Sequence, residues 1–200
     1  MKSREWYDRG ILPHRTRDGL IQLITYRQAD SLPQHVLTEF QQQILHLPEE
    51  EQAFRRRVFM QDFLDRGAGS CLLRHPLHAR LIIENWQYWN QVKYDLLAYV
   101  VMPNHVHVLI RQNPEYELSQ IIFSWKRHTG TSISGQSGFW QKEFWDTYIR
   151  NRAHLNKALN YIFMNPVKAG LRNTPDSWPF SSAGDGWAQK AMPAMFLDLP

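Results

Sequence analysis

The stretch that most constrains the fold is YDLLAYVVMPNHVHVLIRQ, residues 94–112, in which two apolar runs flank the short segment MPNH. Each run has the length and composition of a buried strand, and so short a connection joins antiparallel neighbours. Side chains on a strand alternate between faces, so His105 and His107 point one way while Val106 and Val108 point the other. The sequence therefore predicts a sheet with an apolar face and a face that carries paired imidazoles.

The paired histidines have two interpretations. A single histidine on a half-buried strand is usually a packed residue that hydrogen-bonds to a neighbour. Two imidazoles on one face, with alpha carbons about 6–7 Å apart, can instead converge on one ion. Without a third ligand and a reacting group, the pair is also compatible with a polar patch on a solvated sheet.

Hydrophobic spacing divides the rest of the chain into helices and strands. We predict strands over 20–28 and 139–149, and helices over 33–47, 49–67, 75–91, 117–134 and 151–171. The resulting order is the β-α-β-β-α-β pattern of a ferredoxin-like α+β sandwich, an antiparallel sheet with helices on one face plus inserted helices. The first two helices are interpreted as scaffold.

One domain over residues 1–200 is expected from the length and from the absence of repeats, low-complexity tracts and linkers. A basic segment extends to about residue 19, and an irregular tail rich in Pro, Gly and Ser begins at about residue 177. No apolar run approaches the about 20 residues that span a bilayer, and the first residues lack a signal-peptide core. We therefore expect a cytoplasmic protein.

Cysteine content and charge limit the classes of function. Cys71 is the only cysteine, which excludes an intrachain disulfide and thiolate-rich metal sites, so a metal would need His, carboxylate or amide ligands. The net charge is +4, and residues 121–172 hold eight Lys or Arg against two Asp or Glu. Such a surplus is often only a solvated surface, but nucleic acid is the commonest soluble partner that it would attract.

The last predicted helix supplies the group that the histidine pair lacks. One face of it carries a set of polar side chains, at steps of three, four, four and three: His154, Lys157, Tyr161, Asn165 and Lys168. Taken singly, Tyr161 is an ordinary amphipathic helix residue and Asn165 a helix-ending residue before Pro166. If this face lies beside the imidazoles, the Asn165 carbonyl completes a His-His-Asn ion site with Tyr161 one turn away. That combination is suited to cleaving a phosphodiester.

These motifs resemble those of the REP-associated tyrosine transposases, a branch of the HUH superfamily of single-strand DNA transposases with one catalytic tyrosine. The most specific pieces are MPNHVHVL and YIFMNPVKAGL, and RGILPHR, ITYRQADSLP, FSWKRHTG and WPFSS extend the resemblance over nearly the whole chain. The resemblance implies that His105 and His107 are the His-hydrophobic-His metal ligands. It also implies that Tyr161 is the nucleophile and Asn165 the remaining protein ligand.

What the resemblance implies about function is a bacterial enzyme that uses Mg²⁺ or Mn²⁺, although two imidazoles alone would also suit Zn²⁺. The enzyme would nick single-stranded DNA and transfer the strand through a 5′-phosphotyrosine, acting on hairpins of repetitive extragenic palindromes (REP hairpins) at the nucleoid. The alternative is a domesticated protein that binds such hairpins without cutting them. Relatives in insertion sequences are dimers that exchange the tyrosine helix, whereas the REP-associated branch resembles monomers, and we expect a monomer here.

Contacts to DNA are predicted from charge and aromatic character alone. The expected DNA-binding residues are Trp125, Lys126, Arg127, Lys157, Lys168, Arg15 and Arg17. Trp145 is a second candidate for stacking a base, and Arg4 and Arg9 add to the basic N-terminal segment. For each of these residues singly, surface charge or core packing is the ordinary explanation.

Overall fold

The computed structural model describes residues 6–8, 13–15 and 19–184. The strands are β1 (Trp6–Asp8), β2 (Pro13–Arg15), β3 (Ile21–Arg27), β4 (Tyr94–Val101), β5 (His105–Gln112) and β6 (Trp145–Tyr148). The α-helices are α1 (Gln34–Ile44), α2 (Glu49–Asp65), α3 (Pro76–Tyr88), α4 (Leu118–Ser134) and α5 (Arg152–Lys168). β1 and β2 form a two-stranded antiparallel sheet within the basic N-terminal segment, for which no strand was predicted.

The main sheet has the strand order β4-β5-β3-β6 with every neighbouring pair antiparallel. This is the order of a β-α-β-β-α-β fold, so the predicted fold class is confirmed. β5 lies inside the sheet, where His107 is opposite Thr25 of β3 and Val100 of β4. Residues 102–104, the first three of the segment MPNH, make the predicted short connection between β4 and β5.

Helices cover both faces of the sheet, whereas the sequence suggested one face. On the Val106 face, the Trp86 ring of α3 lies 6.5 Å from Tyr26 of β3. On the opposite face, the Tyr161 ring of α5 lies 4.9 Å from His107. The physical reason is that β4 and β5 are buried on both sides, so each face requires a covering layer.

The strand predicted over 139–149 is shorter in the structure, because only Trp145–Tyr148 pairs along β3. The residues before it turn toward α4 instead. Trp140 makes an isolated bridge to Gln28 and its Nε1 donates to Thr129 Oγ1 at 2.9 Å. Helix α5 continues through Pro166 to Lys168, so Asn165 is a helical residue and not the end of the helix.

The segment after α5 follows the outer edge of β4. The amide of Val101 donates to the Phe180 carbonyl at 2.9 Å, and the amide of Ser182 donates to the Tyr99 carbonyl at 3.0 Å. Trp178 Nε1 donates to the Val101 carbonyl at 2.9 Å. These bonds cover an edge strand that would otherwise expose unpaired main-chain groups. Residues 185–200 of the predicted tail lie outside the described residues.

Within residues 6–8, 13–15 and 19–184, no helix combines the length and the apolar character needed to cross a bilayer.

Candidate functional site

Two imidazoles meet on the α5 side of β5. The Nε2 atoms of His105 and His107 lie 3.1 Å apart, and both side chains are buried. The Nδ1 atom of each ring, which points away from the other ring, has a polar partner. His105 Nδ1 lies 2.7 Å from Asn104 Oδ1, and His107 Nδ1 lies 2.7 Å from Thr25 Oγ1. Polar partners on the outer ring nitrogen are the usual way in which a protein orients metal-binding histidines.

The hydrogen-bond network assigns the tautomer of His105. Asn104 Nδ2 donates to the Ala68 carbonyl at 2.8 Å, which turns Oδ1 toward the imidazole and makes His105 Nδ1 the donor. His105 Nε2 therefore presents a lone pair to the site. Burial lowers the pKa of His105 to about 3, and burial together with His105 lowers the pKa of His107 well below its usual value. Both rings are thus neutral, as metal coordination requires.

Helix α5 places its tyrosine against the histidines. Asn151 caps the helix by accepting from the His154 amide at 2.9 Å, and the buried side chains of Leu155 and Ile162 fix its position. The Tyr161 hydroxyl consequently lies 3.1 Å from His107 Nε2.

The environment of Tyr161 keeps its hydroxyl protonated. Burial raises the pKa of Tyr161 far above its usual value, the negative charge of Asp65 adds to the rise, and the nearby amide of Asn165 opposes it. A reaction that uses this oxygen as a nucleophile therefore needs a group that accepts its proton, or a positive charge beside it.

Asn165, one turn after Tyr161, is fully buried, yet neither its amide nitrogen nor its amide oxygen has a hydrogen-bond partner. Leaving such a group unpaired costs about 1–3 kcal/mol. A ligand that binds beside α5 would remove this cost, and the amide oxygen is a donor that hard divalent ions accept.

The residues present fit a divalent ion. Two neighbouring ligands of an octahedral ion, each at about 2.1 Å, lie about 3 Å apart, and the two Nε2 atoms are separated by 3.1 Å. Among residues 19–184, no three His, Cys, Asp or Glu side chains are grouped closely enough to hold an ion by themselves. The third protein ligand would therefore be a side chain of another type, such as the Asn165 amide. The alternative is a carboxylate whose side chain rotates toward the histidines.

A cavity of about 280 Å³ opens beside the histidines and Tyr161, between α2, α5 and the sheet. Arg57 of α2 and Lys157 of α5 line its helical walls, and Trp145 lines it from β6. Cations that flank an indole ring suit a nucleic-acid backbone with an unpaired base. Helix α2, interpreted from sequence as scaffold, is thus part of the site.

The predicted DNA-binding residues fall into different parts of the molecule. Lys157 lines the cavity, and Lys168 Nζ lies 5.8 Å from the centre of the Tyr161 ring. The prediction for Trp125 is wrong, because its side chain is 1% exposed and its Nε1 donates to the Tyr94 hydroxyl at 3.1 Å. Trp125 belongs to the aromatic core on the opposite face of the sheet.

Lys126 and Arg127 also lie away from the cavity. Lys126 Nζ donates to the main-chain carbonyls of Gln141 and Lys142, so the ammonium group holds the segment before β6 and is not free for DNA. Burial lowers the pKa of Lys126 to about 8. Arg127 is exposed on α4, with its guanidinium 5.6 Å from the Phe123 ring. Helix α4 covers the face that carries Val106, which explains why these residues do not reach Tyr161.

The predicted N-terminal cations fall on residues that the structure does not describe in full. Arg4, Arg9 and Arg17 lie outside the described residues, and so does the side chain of Arg15, although its backbone belongs to β2.

Sequence reasoning missed four residues of the site. Thr25 lies in the motif ITYRQ, and Asn104 lies in MPNH. The position of Asn104 directly before His105 was the one signal that could have identified it as a partner of that ring. Arg57 and Asp65 belong to α2, which reaches the site only through tertiary packing. Asp65 Oδ1 lies 3.8 Å from His105 Nε2.

Known proteins resemble this chain in the region of the site. Residues 72–162 match the family described as "Transposase IS200 like". The chain is 33% identical over 91 residues to a REP-associated tyrosine transposase of Escherichia coli, and the match covers 44% of this chain and 54% of that protein. It is 28% identical over 103 residues to a putative REP-associated tyrosine transposase of Haemophilus influenzae, covering 44% of this chain and 58% of that protein. The chain thus spans somewhat more than half the length of these relatives.

The fold has a counterpart among solved structures. A structure described as the REP-associated tyrosine transposase bound to a REP hairpin superposes with a TM-score of 0.58 over 91% of this chain and 87% of that chain, at 21% identity. This likeness supports the fold described above. The resemblance that the sequence motifs indicated is confirmed by these matches.

Proposed function

From the similarity of residues 72–162 to the IS200-like transposases, we propose that this chain is a metal-dependent enzyme that nicks single-stranded DNA and transfers the strand through a 5′-phosphotyrosine. The observation that carries the proposal is the convergence of the Tyr161 hydroxyl and the two imidazoles, with 3.1 Å between His107 Nε2 and each of its two neighbours. A nucleophile beside a cation site is the combination that phosphodiester cleavage requires.

We propose one role for each residue, supported by this geometry and, for Asn165, by its buried and unpaired amide. His105, His107 and Asn165 would hold Mg²⁺ or Mn²⁺, and the ion, when bound, would withdraw charge from the scissile phosphate and so favour attack on phosphorus. The Tyr161 oxygen forms the new bond to phosphorus, the bond from phosphorus to the 3′ oxygen breaks, and the tyrosine proton leaves for that oxygen by way of solvent. The product is a free 3′-hydroxyl and a DNA 5′ end esterified to Tyr161.

Strand transfer is the reverse of this step with a different 3′-hydroxyl. Attack of that hydroxyl on the phosphotyrosine restores a phosphodiester and regenerates Tyr161, so the energy of the broken bond is retained and no nucleotide cofactor is consumed. A phenol suits both directions, since its pKa of about 10 makes it a better leaving group than an alkyl alcohol.

The substrate class that we propose is a single-stranded hairpin of the REP type. The similar solved structure is that of a transposase bound to a REP hairpin, which supports this choice, and the cations Arg57 and Lys157 beside the cavity are appropriate for a phosphate backbone. Binding to chromosomal hairpins would place the protein at the nucleoid. We also propose a monomer, because Tyr161 reaches His107 within one chain and no exchanged helix is needed to complete the site.

The proposal is tested with a labelled pool of single-stranded hairpins with randomised flanks, incubated with the protein and Mn²⁺ and separated on a denaturing gel. We expect a covalent protein–DNA adduct with wild type and none with Tyr161→Phe. Equal behaviour of the two proteins would show that the mechanism is wrong. Tight hairpin binding that is insensitive to chelator, without any adduct, would favour the non-catalytic hairpin-binding alternative.

A further inference from the structure

The carboxylate of Asp65 belongs to none of the sequence motifs, and it lies outside the region that matches the family. Asp65 is the last residue of α2 and precedes the matched region 72–162. Met60 and Leu64, both buried on α2, anchor the end of the helix beside the histidines. The position of Asp65 is therefore fixed by core packing and not by a mobile loop.

The atoms around Asp65 leave one of its oxygens without a partner. Asp65 Oδ1 is buried and accepts no hydrogen bond, although it lies 3.8 Å from His105 Nε2. His105 cannot donate to it, because the bond to Asn104 places the ring proton on Nδ1. A lone pair and a carboxylate oxygen thus face each other across a short gap, an arrangement that a cation between them would stabilise.

The distances allow one ion to contact both groups. Two atoms bound to the same ion at about 2.1 Å are at most about 4.2 Å apart. The separation between Asp65 Oδ1 and His105 Nε2 is 3.8 Å, and that between the two histidine Nε2 atoms is 3.1 Å. Both separations are within this limit. Because the described side chains do not already form a three-ligand group, the Asp65 side chain would rotate toward the histidines when the ion binds.

We propose that Asp65 is a carboxylate ligand of the divalent ion held by His105 and His107, supplied by a helix outside the family-matched region. The inference rests on the metal site of the proposed function and extends it. A carboxylate adds negative charge and a hard oxygen to the two imidazoles, which strengthens binding of Mn²⁺ or Mg²⁺.

Metal binding without DNA tests this assignment, by titration of Mn²⁺ into the full chain in a calorimeter. We expect Asp65→Asn to weaken Mn²⁺ binding at least about tenfold, as loss of a ligand or its support typically does. Asp62→Asn is the matched control, because it removes the same charge from the same helix at an exposed position. Its affinity is expected to stay within about twofold of wild type. Circular dichroism of both variants without metal checks that α2 remains folded.

Other outcomes separate this inference from the proposed function. If His105→Ala abolishes Mn²⁺ binding while Asp65→Asn and Asp62→Asn both bind like wild type, Asp65 is not a ligand and the proposed enzyme is unaffected. If wild type itself binds no Mn²⁺, the ligand assignment is overturned together with the metal site. If Asp65→Asn weakens binding but no DNA adduct ever forms, Asp65 is a ligand and the proposed catalysis is wrong.

Discussion

The two faces of the main sheet are made from the same strands and have opposite chemistry. On the face covered by α3 and α4, large aromatic side chains satisfy one another: Trp86 Nε1 donates to the Tyr26 hydroxyl at 3.1 Å, and the Tyr94 hydroxyl donates to the Trp86 carbonyl at 2.8 Å. On the face covered by α5, two neutral imidazoles meet the Tyr161 hydroxyl, and Asn165 and Asp65 carry buried polar atoms without partners.

This difference shows how one strand serves two purposes. The even residues of β5, such as Val106 and Val108, contribute to the core, whereas the odd residues His105 and His107 form the site. Alternation along the strand thus separates folding stability from chemistry. Substitutions on the aromatic face should change the free energy of unfolding, and substitutions on the histidine face should change ligand binding.

The largest effect is expected on the aromatic face. Trp125→Ala should lower the free energy of unfolding by about 3–5 kcal/mol, because it removes a fully buried indole from the core. Urea unfolding followed by circular dichroism measures the change. Arg127→Ala, at an exposed position of the same helix, is the control and should stay within about 0.5 kcal/mol of wild type. If Trp125→Ala lowered the free energy of unfolding by less than about 1 kcal/mol, the aromatic face would not be the one that stabilises the fold.

On the histidine face, stability should depend on metal. Mn²⁺ at about one hundred times its dissociation constant should raise the free energy of unfolding of wild type by about 2.7 kcal/mol, because it binds only the folded chain. His107→Ala should abolish this increase, as seen by urea unfolding with Mn²⁺ and with chelator. His78→Ala, at a histidine of α3 outside the site, should retain it. Equal stabilisation of wild type and His107→Ala would contradict the assignment of the histidine face.

A smaller effect on Mn²⁺ affinity is expected from Thr25, the residue that orients the His107 ring. Thr25→Val preserves the shape of the side chain but removes the hydroxyl beside His107 Nδ1, and should weaken Mn²⁺ binding about 10- to 100-fold. Calorimetric titration measures the affinity. Thr147→Val, on the wall of the same cavity, should bind Mn²⁺ like wild type. If both variants bind equally well, the orientation of His107 does not depend on Thr25.

The smallest effect concerns cations on the two sides of the molecule. Lys157→Ala should weaken hairpin binding and reduce the slope of log affinity against log salt by about 0.7–0.9, the value for one phosphate contact. Fluorescence anisotropy at several salt concentrations measures this slope. Arg127→Ala, on the helix of the aromatic face, should leave the slope unchanged. If Arg127→Ala reduced the slope and Lys157→Ala did not, the DNA would bind on the other side of the sheet.

Much of this arrangement could be predicted from the sequence, because its signals are local. Alternation in HVHVLI determines which face of β5 carries the imidazoles, and the steps along α5 determine that Tyr161 and Asn165 share a face. The four strands of the main sheet and the α-helices α1 to α5 of the described residues fall within or close to the predicted ranges.

What could not be predicted depends on tertiary packing. Trp125 and Lys126 sit on an amphipathic helix whose sequence does not say which face of the sheet it covers. Asp65 ends a helix whose acidic and basic side chains are typical of an exposed surface, and only the burial of Met60 and Leu64 brings it to His105. Thr25 becomes a partner of His107 through the β3–β5 register, which the sequence of either strand alone does not fix.

Tyr161 is tested as the nucleophile by identifying the residue that becomes attached to DNA. The adduct formed with a labelled hairpin and Mn²⁺ is digested with protease and nuclease, and the modified peptide is sequenced by mass spectrometry. The site described here predicts a nucleotide on the Tyr161 oxygen, in the α5 peptide that also contains Asn165. A nucleotide on any other residue, or an adduct that persists in Tyr161→Phe, would show that Tyr161 is not the nucleophile.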